Sequence, residues 1–138
     1  MITSSSRKLI LLKVYLWLLG MFVLLWWPLS HWFYPEWYHR LLGFEHFDSS
    51  LVTIIGTTGL VVVMNIFLAA MNPIRNRGML GILITFSVAM AATYLFLIHT
   101  QGFPTREYLN VVLLIANTVV LAVLYPRHEH ATDLHGVR

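Results

Sequence analysis

Four uncharged apolar stretches decide what this chain can become. No charged residue lies between Lys13 and Glu36, between Asp48 and Arg75, between Arg77 and Arg106, or between Glu107 and Arg127. Each gap holds the roughly 20 apolar residues that a helix needs to cross a hydrocarbon layer, where backbone N–H and C=O groups must be satisfied within the segment. The expected fold is an all-α membrane protein, a four-transmembrane-helix bundle. Its spans fall at about 9–29, 51–71, 79–100 and 108–125. With their connectors they use nearly all of the 138 residues, so 1–138 reads as a single transmembrane domain.

The rest of the composition narrows the function classes. Hydrophobic residues make up 58% of the chain and charged ones 11%, too little polar surface for a soluble domain of this size. Cysteine is absent, which excludes disulfides, thiolate metal sites and thiol redox chemistry. The net charge of +3 is spread over the flanks of the spans. Clustered bases with interleaved aromatics are not seen, so nucleic acid is not an expected partner. Arg7 and Lys8 followed by an apolar run resemble the start of a signal peptide. The run continues past Trp27 to Pro28, Leu29 and Ser30 with no small-x-small cleavage site, and reads as an uncleaved first span.

Orientation follows from the bases. Arg7, Lys8, Lys13, Arg75, Arg77, Arg127 and Arg138 fall on one side of the expected spans, and Arg40 and Arg106 on the other. The positive-inside rule then puts both termini in the cytoplasm, with the protein in a bacterial inner membrane. Asn72-Pro73 ends the second span, and Gly102 and Pro104 mark the turn between the third and fourth.

The outer connector between the first two spans predicts an amphipathic, interfacial segment at 35–47. Pro35 suits a first helical position. Trp37, Leu41 and Phe44 then share one face, while Glu36, His39, Arg40 and His46 share the other, with Glu36 and Arg40 spaced for an ion pair. The apolar face should lie on the membrane. Trp26, Trp27, Trp32 and Trp37 read as interfacial anchors. The polar tail, 127–138, carries His128, His130 and His135 and reads as solvated.

Few residues suggest chemistry. In the outer connector only Glu36 and His39, three apart, have a spacing that suits one metal ion; solvated interfacial side chains are the ordinary reading of this pattern. His99 is the only histidine in a span, near its outer end. One histidine does not make a two-histidine haem site, but it could hold a pigment or a quinone; the ordinary reading is a helix-end residue. Asn65 and Asn117 are the deepest amides and should bond to each other or to backbone between helices. Gly56 and Gly59 in the second span, with Gly81, Thr85, Ala89 and Thr93 in the third, are expected at helix–helix contacts. No acidic or basic residue falls inside an expected span, which argues against ion-coupled transport.

The layout resembles the small bacterial four-helix membrane proteins called DoxX-like or BphX-like. The likeness rests on Leu41-Leu42-Gly43-Phe44 ending the outer aromatic segment, Gly56 in the second span, and the turn Ala69-Ala70-Met71-Asn72-Pro73-Ile74-Arg75-Asn76-Arg77. It implies a four-helix bundle and supplies no catalytic residues. The function expected from the sequence is a non-catalytic accessory subunit of a larger, energy-converting membrane complex, with other membrane subunits and lipids as partners. The alternatives are a quinone- or pigment-binding redox protein and a small-molecule exporter acting as an oligomer.

Overall fold

The computed structural model describes residues 4–126; the polar tail at 127–138 lies outside them. Among the described residues every regular element is helical. Helix α1 (Ser4–Leu24) passes through a π-helical turn (Leu25–Leu29) into the short α2 (Ser30–Phe33). Then come α3 (Pro35–Leu42), α4 (Ser49–Met71), α5 (Arg77–Thr100), a 3-10 turn (Thr105–Glu107) and α6 (Tyr108–Leu124). Four helical segments, Ser6–Phe33, Ser49–Met71, Arg77–Thr100 and Thr105–Leu124, are long and apolar enough to cross a membrane. The protein is a multi-pass membrane protein built as an all-α four-helix bundle.

The first span is longer than the sequence suggested. Its end was expected near residue 29, just after Pro28. Proline has no N–H to offer the carbonyl four residues back, and its ring crowds that turn. Here the turn widens instead, and the helix continues to Phe33. The other ends follow their local chemistry. Asp48 caps α4, its carboxylate accepting from the N–H groups of Ser50 at 2.8 Å and Leu51 at 3.0 Å. Gly43 stops α3 in the left-handed region, at φ 94°.

Two antiparallel pairs make the bundle: α1 packs chiefly on α4, and α5 on α6. In the first pair glycines receive aromatic rings. A Cβ at Gly59 would fall 2.8 Å from the Trp27 indole, and one at Gly56 would fall 2.8 Å from Trp32. Gly20 lies under Phe67 in the same way. The expected small-residue row of α5 behaves differently. Thr85, Ala89 and Thr93 are exposed, and a Cβ at Gly81 would meet only the Tyr125 hydroxyl, at 3.9 Å. That row does not join helices within this chain, because α5 turns Leu80, Leu83, Ser87 and Ala91 inward instead.

The core lies at the end of the bundle that holds the start of α1, the α4–α5 turn and the end of α6, here the terminal end. Leu12, Leu16, Ile66, Ala69, Ala70, Leu80, Leu83 and Leu121 form one buried cluster there. The other, capped end is covered by α3, with a face that the sequence did not indicate. Tyr38, His39 and Leu42 are buried, while Trp37 and Leu41 are exposed at 59% and 41%. His39 can turn inward because its Nδ1–H is satisfied by the Pro35 carbonyl at 2.8 Å and its ring stacks on Phe47.

Candidate functional site

Beneath α3 the helices do not close. A cavity of about 650 Å³ occupies the capped half of the bundle. Its floor is set by Ile66 and Leu83 of the core and by Ser87 and Asn117. Asn117 ties three helices there, accepting from the Tyr15 hydroxyl at 2.7 Å and donating to Ser87 Oγ at 2.9 Å. Asn65 has no part in this tier; it donates to the Val61 carbonyl of its own helix at 2.8 Å. The walls are largely apolar and strongly aromatic, with Trp27, Phe86, Phe44, Phe47 and Phe103 among them.

The widened turn of helix one aims two tryptophans into this space. Both were expected as membrane anchors, and both instead line the cavity, half-buried. Trp27 seats on Gly59 and stacks with Phe86, ring centres 6.0 Å apart. Trp26 donates its indole N–H to Asn110 Oδ1 at 3.0 Å. Trp32 and Trp37 remain exposed, as anchors would be.

At the capped end the polar groups gather. Asn110 passes the connection on, donating through Nδ2 to Glu107 Oε2 at 2.6 Å. Glu107 is 3% exposed. It makes no ion pair with any described residue, and Oε2 holds its one side-chain hydrogen bond. A buried carboxyl group with so few partners is costly. Tyr38 lies over this group from α3, edge-on to Trp26 at 5.5 Å and beside His31 at 4.6 Å. Burial raises the Tyr38 phenol above its ordinary range, and the neighbouring Tyr94 and Glu107 raise it further. The phenol therefore stays neutral.

Two histidines complete the cluster. His31 and His39 are buried, their rings 5.5 Å apart and edge to face. Each gives its Nδ1–H to the carbonyl four residues back, Trp27 at 2.7 Å and Pro35 at 2.8 Å. A carbonyl only accepts, so Nδ1 carries a proton in both rings, and in the neutral ring Nε2 keeps its lone pair.

The ligand candidates read from the sequence are not brought together. His99 is exposed and outside the cavity; its Nδ1 donates to the Leu95 carbonyl at 2.7 Å, and its Nε2 accepts from the Tyr108 hydroxyl at 3.3 Å. Glu36 and His39 point apart: Glu36 pairs with Arg40 at 2.8 Å on the exposed face, and His39 turns inward. Among the described residues no group of three histidine, aspartate or glutamate side chains is arranged to hold a metal ion. Glu107 corrects the expectation that no acid is buried. The fourth span starts earlier than the apolar run, at Thr105, and takes Glu107 into the bundle. Glu107 and Asn110, one turn apart where an apolar run begins, were the available sequence signal. Compared with protein-family profiles, with curated proteins and with solved structures, the chain finds no match.

Proposed function

We propose that this protein binds an amphipathic small molecule from the bilayer, holding its polar head under α3 and its apolar body between the helix pairs. The carrying observation is the polarity of the cavity. Its walls are apolar and aromatic, while Trp26, His31, Tyr38, His39, Glu107 and Asn110 collect at one end. A pocket of this size with a few convergent polar groups is the usual form of a small-molecule site. Entry from the lipid is supported by the pairing of the helices. Helices α4 and α5 touch each other much less than either touches its own partner. Thr58 of α4 and Thr93 of α5 both line the cavity and are exposed.

On this reading the chain sits in a bacterial inner membrane with both termini in the cytoplasm, from the uneven placement of Lys and Arg. The head of the ligand then lies in the outer leaflet. Cysteines placed at Ser49 and at Gly78, where an added Cβ meets nothing, should differ in labelling by an impermeant thiol reagent. Equal labelling from outside intact cells would refute the orientation. The ligand site is tested by extracting and identifying small molecules that co-purify with the protein. Thr58→Trp and Thr93→Trp together should lower that content by narrowing the α4–α5 gap; unchanged content would refute lateral entry.

A second reading, an accessory subunit of a larger energy-converting complex, keeps one specific support. Gly81, Thr85 and Ala89 form a small-residue row with no helix of this chain against it. Such rows let a neighbouring helix approach closely. The DoxX-like layout is compatible with either role. Native purification with mass spectrometry of co-migrating proteins tests the subunit reading.

A further inference from the structure

Resting on the ligand-site reading, we propose that the head group is cationic: the cavity takes a lipophilic ammonium ion, with Glu107 as its counter-charge. Three observations on this site converge. First, among the described residues the only formally charged side chains lining the cavity are acidic, Glu107 and Asp48, and no lysine or arginine lines it. Asp48 is occupied in capping α4, whereas Glu107 has no ion pair among the described residues. A carboxylate in a water-poor pocket is matched best by a positive charge brought in by the ligand.

Second, the cluster offers the ligand mainly acceptors. One of the two Asn110 N–H donors and the N–H donors of Trp26, His31 and His39 are already used, on Glu107, Asn110 and two backbone carbonyls. His31 and His39 line the cavity, and Nε2 of each, an acceptor in the neutral ring, has no partner among the described residues. Glu107 Oε1 is open too: it has no protein donor, and no enclosed side-chain oxygen lacks a partner. A quinone or ketone head, itself an acceptor, finds as donors in this cluster the Tyr38 and Tyr94 hydroxyls and the second Asn110 N–H. An ammonium N–H finds several acceptors. Third, aromatic rings line the walls, Trp26, Trp27, Tyr38, Phe86 and Tyr94 among them. Such faces attract cations more strongly once water is excluded.

The test uses three probes of one shape, 6-phenylhexylammonium, 6-phenylhexan-1-ol and 6-phenylhexanoate. Each is titrated calorimetrically into the full chain in nanodiscs of zwitterionic lipid, with empty nanodiscs as blank. The ammonium should bind at least about tenfold more tightly than the alcohol, and the carboxylate more weakly than either. Glu107→Gln, which keeps an acceptor for Asn110, should bring the ammonium down to the alcohol's affinity and leave the alcohol unchanged. Equal binding of ammonium and alcohol by wild type would overturn the cationic head while leaving the ligand site standing. So would an undiminished preference in Glu107→Gln. Saturable binding of none of the three would overturn the ligand site itself. Should Glu107→Gln fail to fold, the wild-type ranking of the three probes alone decides.

Discussion

The two halves of the bundle solve the packing problem in opposite ways. At the terminal end, Ala69 and Ala70 let α4 come close, and leucines from α1, α5 and α6 close the gap around them. At the capped end, indole and phenyl rings stand where those small and aliphatic groups would be, and the helices enclose a cavity. In lipid, helix association rests on van der Waals contact and on hydrogen bonds between helices, because lipid tails are as apolar as the side chains. A hollow half therefore forgoes much of its association energy. The packed half holds the helices, and the hollow half is free to hold something else.

The largest effect that would sharpen this contrast is a cavity-forming substitution in the packed half. Leu16→Ala or Leu80→Ala, at 0% and 1% exposure, should cost about 2–5 kcal/mol in reversible unfolding from mixed micelles. Leu113→Ala or Met90→Ala, both facing existing empty space, should cost under about 1 kcal/mol. Similar losses at both ends would erase the distinction. Next, Gly59→Leu should drive Trp27 off its seat and cost on the order of 1–3 kcal/mol by overpacking. Gly78→Leu, in open space, is the control. Tryptophan emission should shift in the first variant only.

Smaller effects probe the tier between the halves. Asn117→Ala breaks contacts to both Tyr15 and Ser87 and should cost about 1 kcal/mol, in keeping with polar bonds between membrane helices. Asn65→Ala, losing only a bond within its own helix, should change the unfolding midpoint by less than Asn117→Ala does. The smallest effect is expected on the outer face. Gly81→Leu and Ala89→Leu should leave the melting of the isolated chain nearly unchanged, since Ala89 is exposed and an added Cβ at Gly81 meets only the Tyr125 hydroxyl, at 3.9 Å. Loss of a co-purifying membrane protein in these variants would support the subunit reading; a lowered melting point would place the row inside the fold.

The four helices, their turns and the Glu36–Arg40 pair were legible because each rests on local chemistry: runs without charge, Asn72-Pro73, Gly43, and a four-residue spacing. Which face each helix turns inward was not. An apolar stripe has meaning only against water, and in lipid both faces of a span are apolar, so the periodic pattern carries little direction. That is why the row from Gly81 to Ala89 was placed inside and found outside. Trp26 and Trp27 misled for a related reason. A tryptophan near a span's end suits a lipid interface, and nothing local shows that Gly59 lies opposite to receive one. Glu107 was hidden by its position at the edge of an uncharged run, where an acid normally marks the exit to water. The candidate site is a product of tertiary placement, and its six polar residues come from three separate stretches of chain.

The widened turn at Leu25–Leu29 makes the capped half depend on a residue count. A π-helical turn carries one more residue than an α-helical one, so everything beyond it is out of phase with α1. Closing this turn to α-helical geometry with all five of its residues kept would rotate the following segment by about 100°. Leu12 and Leu16 would keep their places. His31, with α3 behind it, would swing away from the cavity and carry Tyr38 and His39 off Glu107. A chain with this turn closed would thus remain a bundle and lose its site, which makes this turn a point where the architecture can be conserved while specificity drifts.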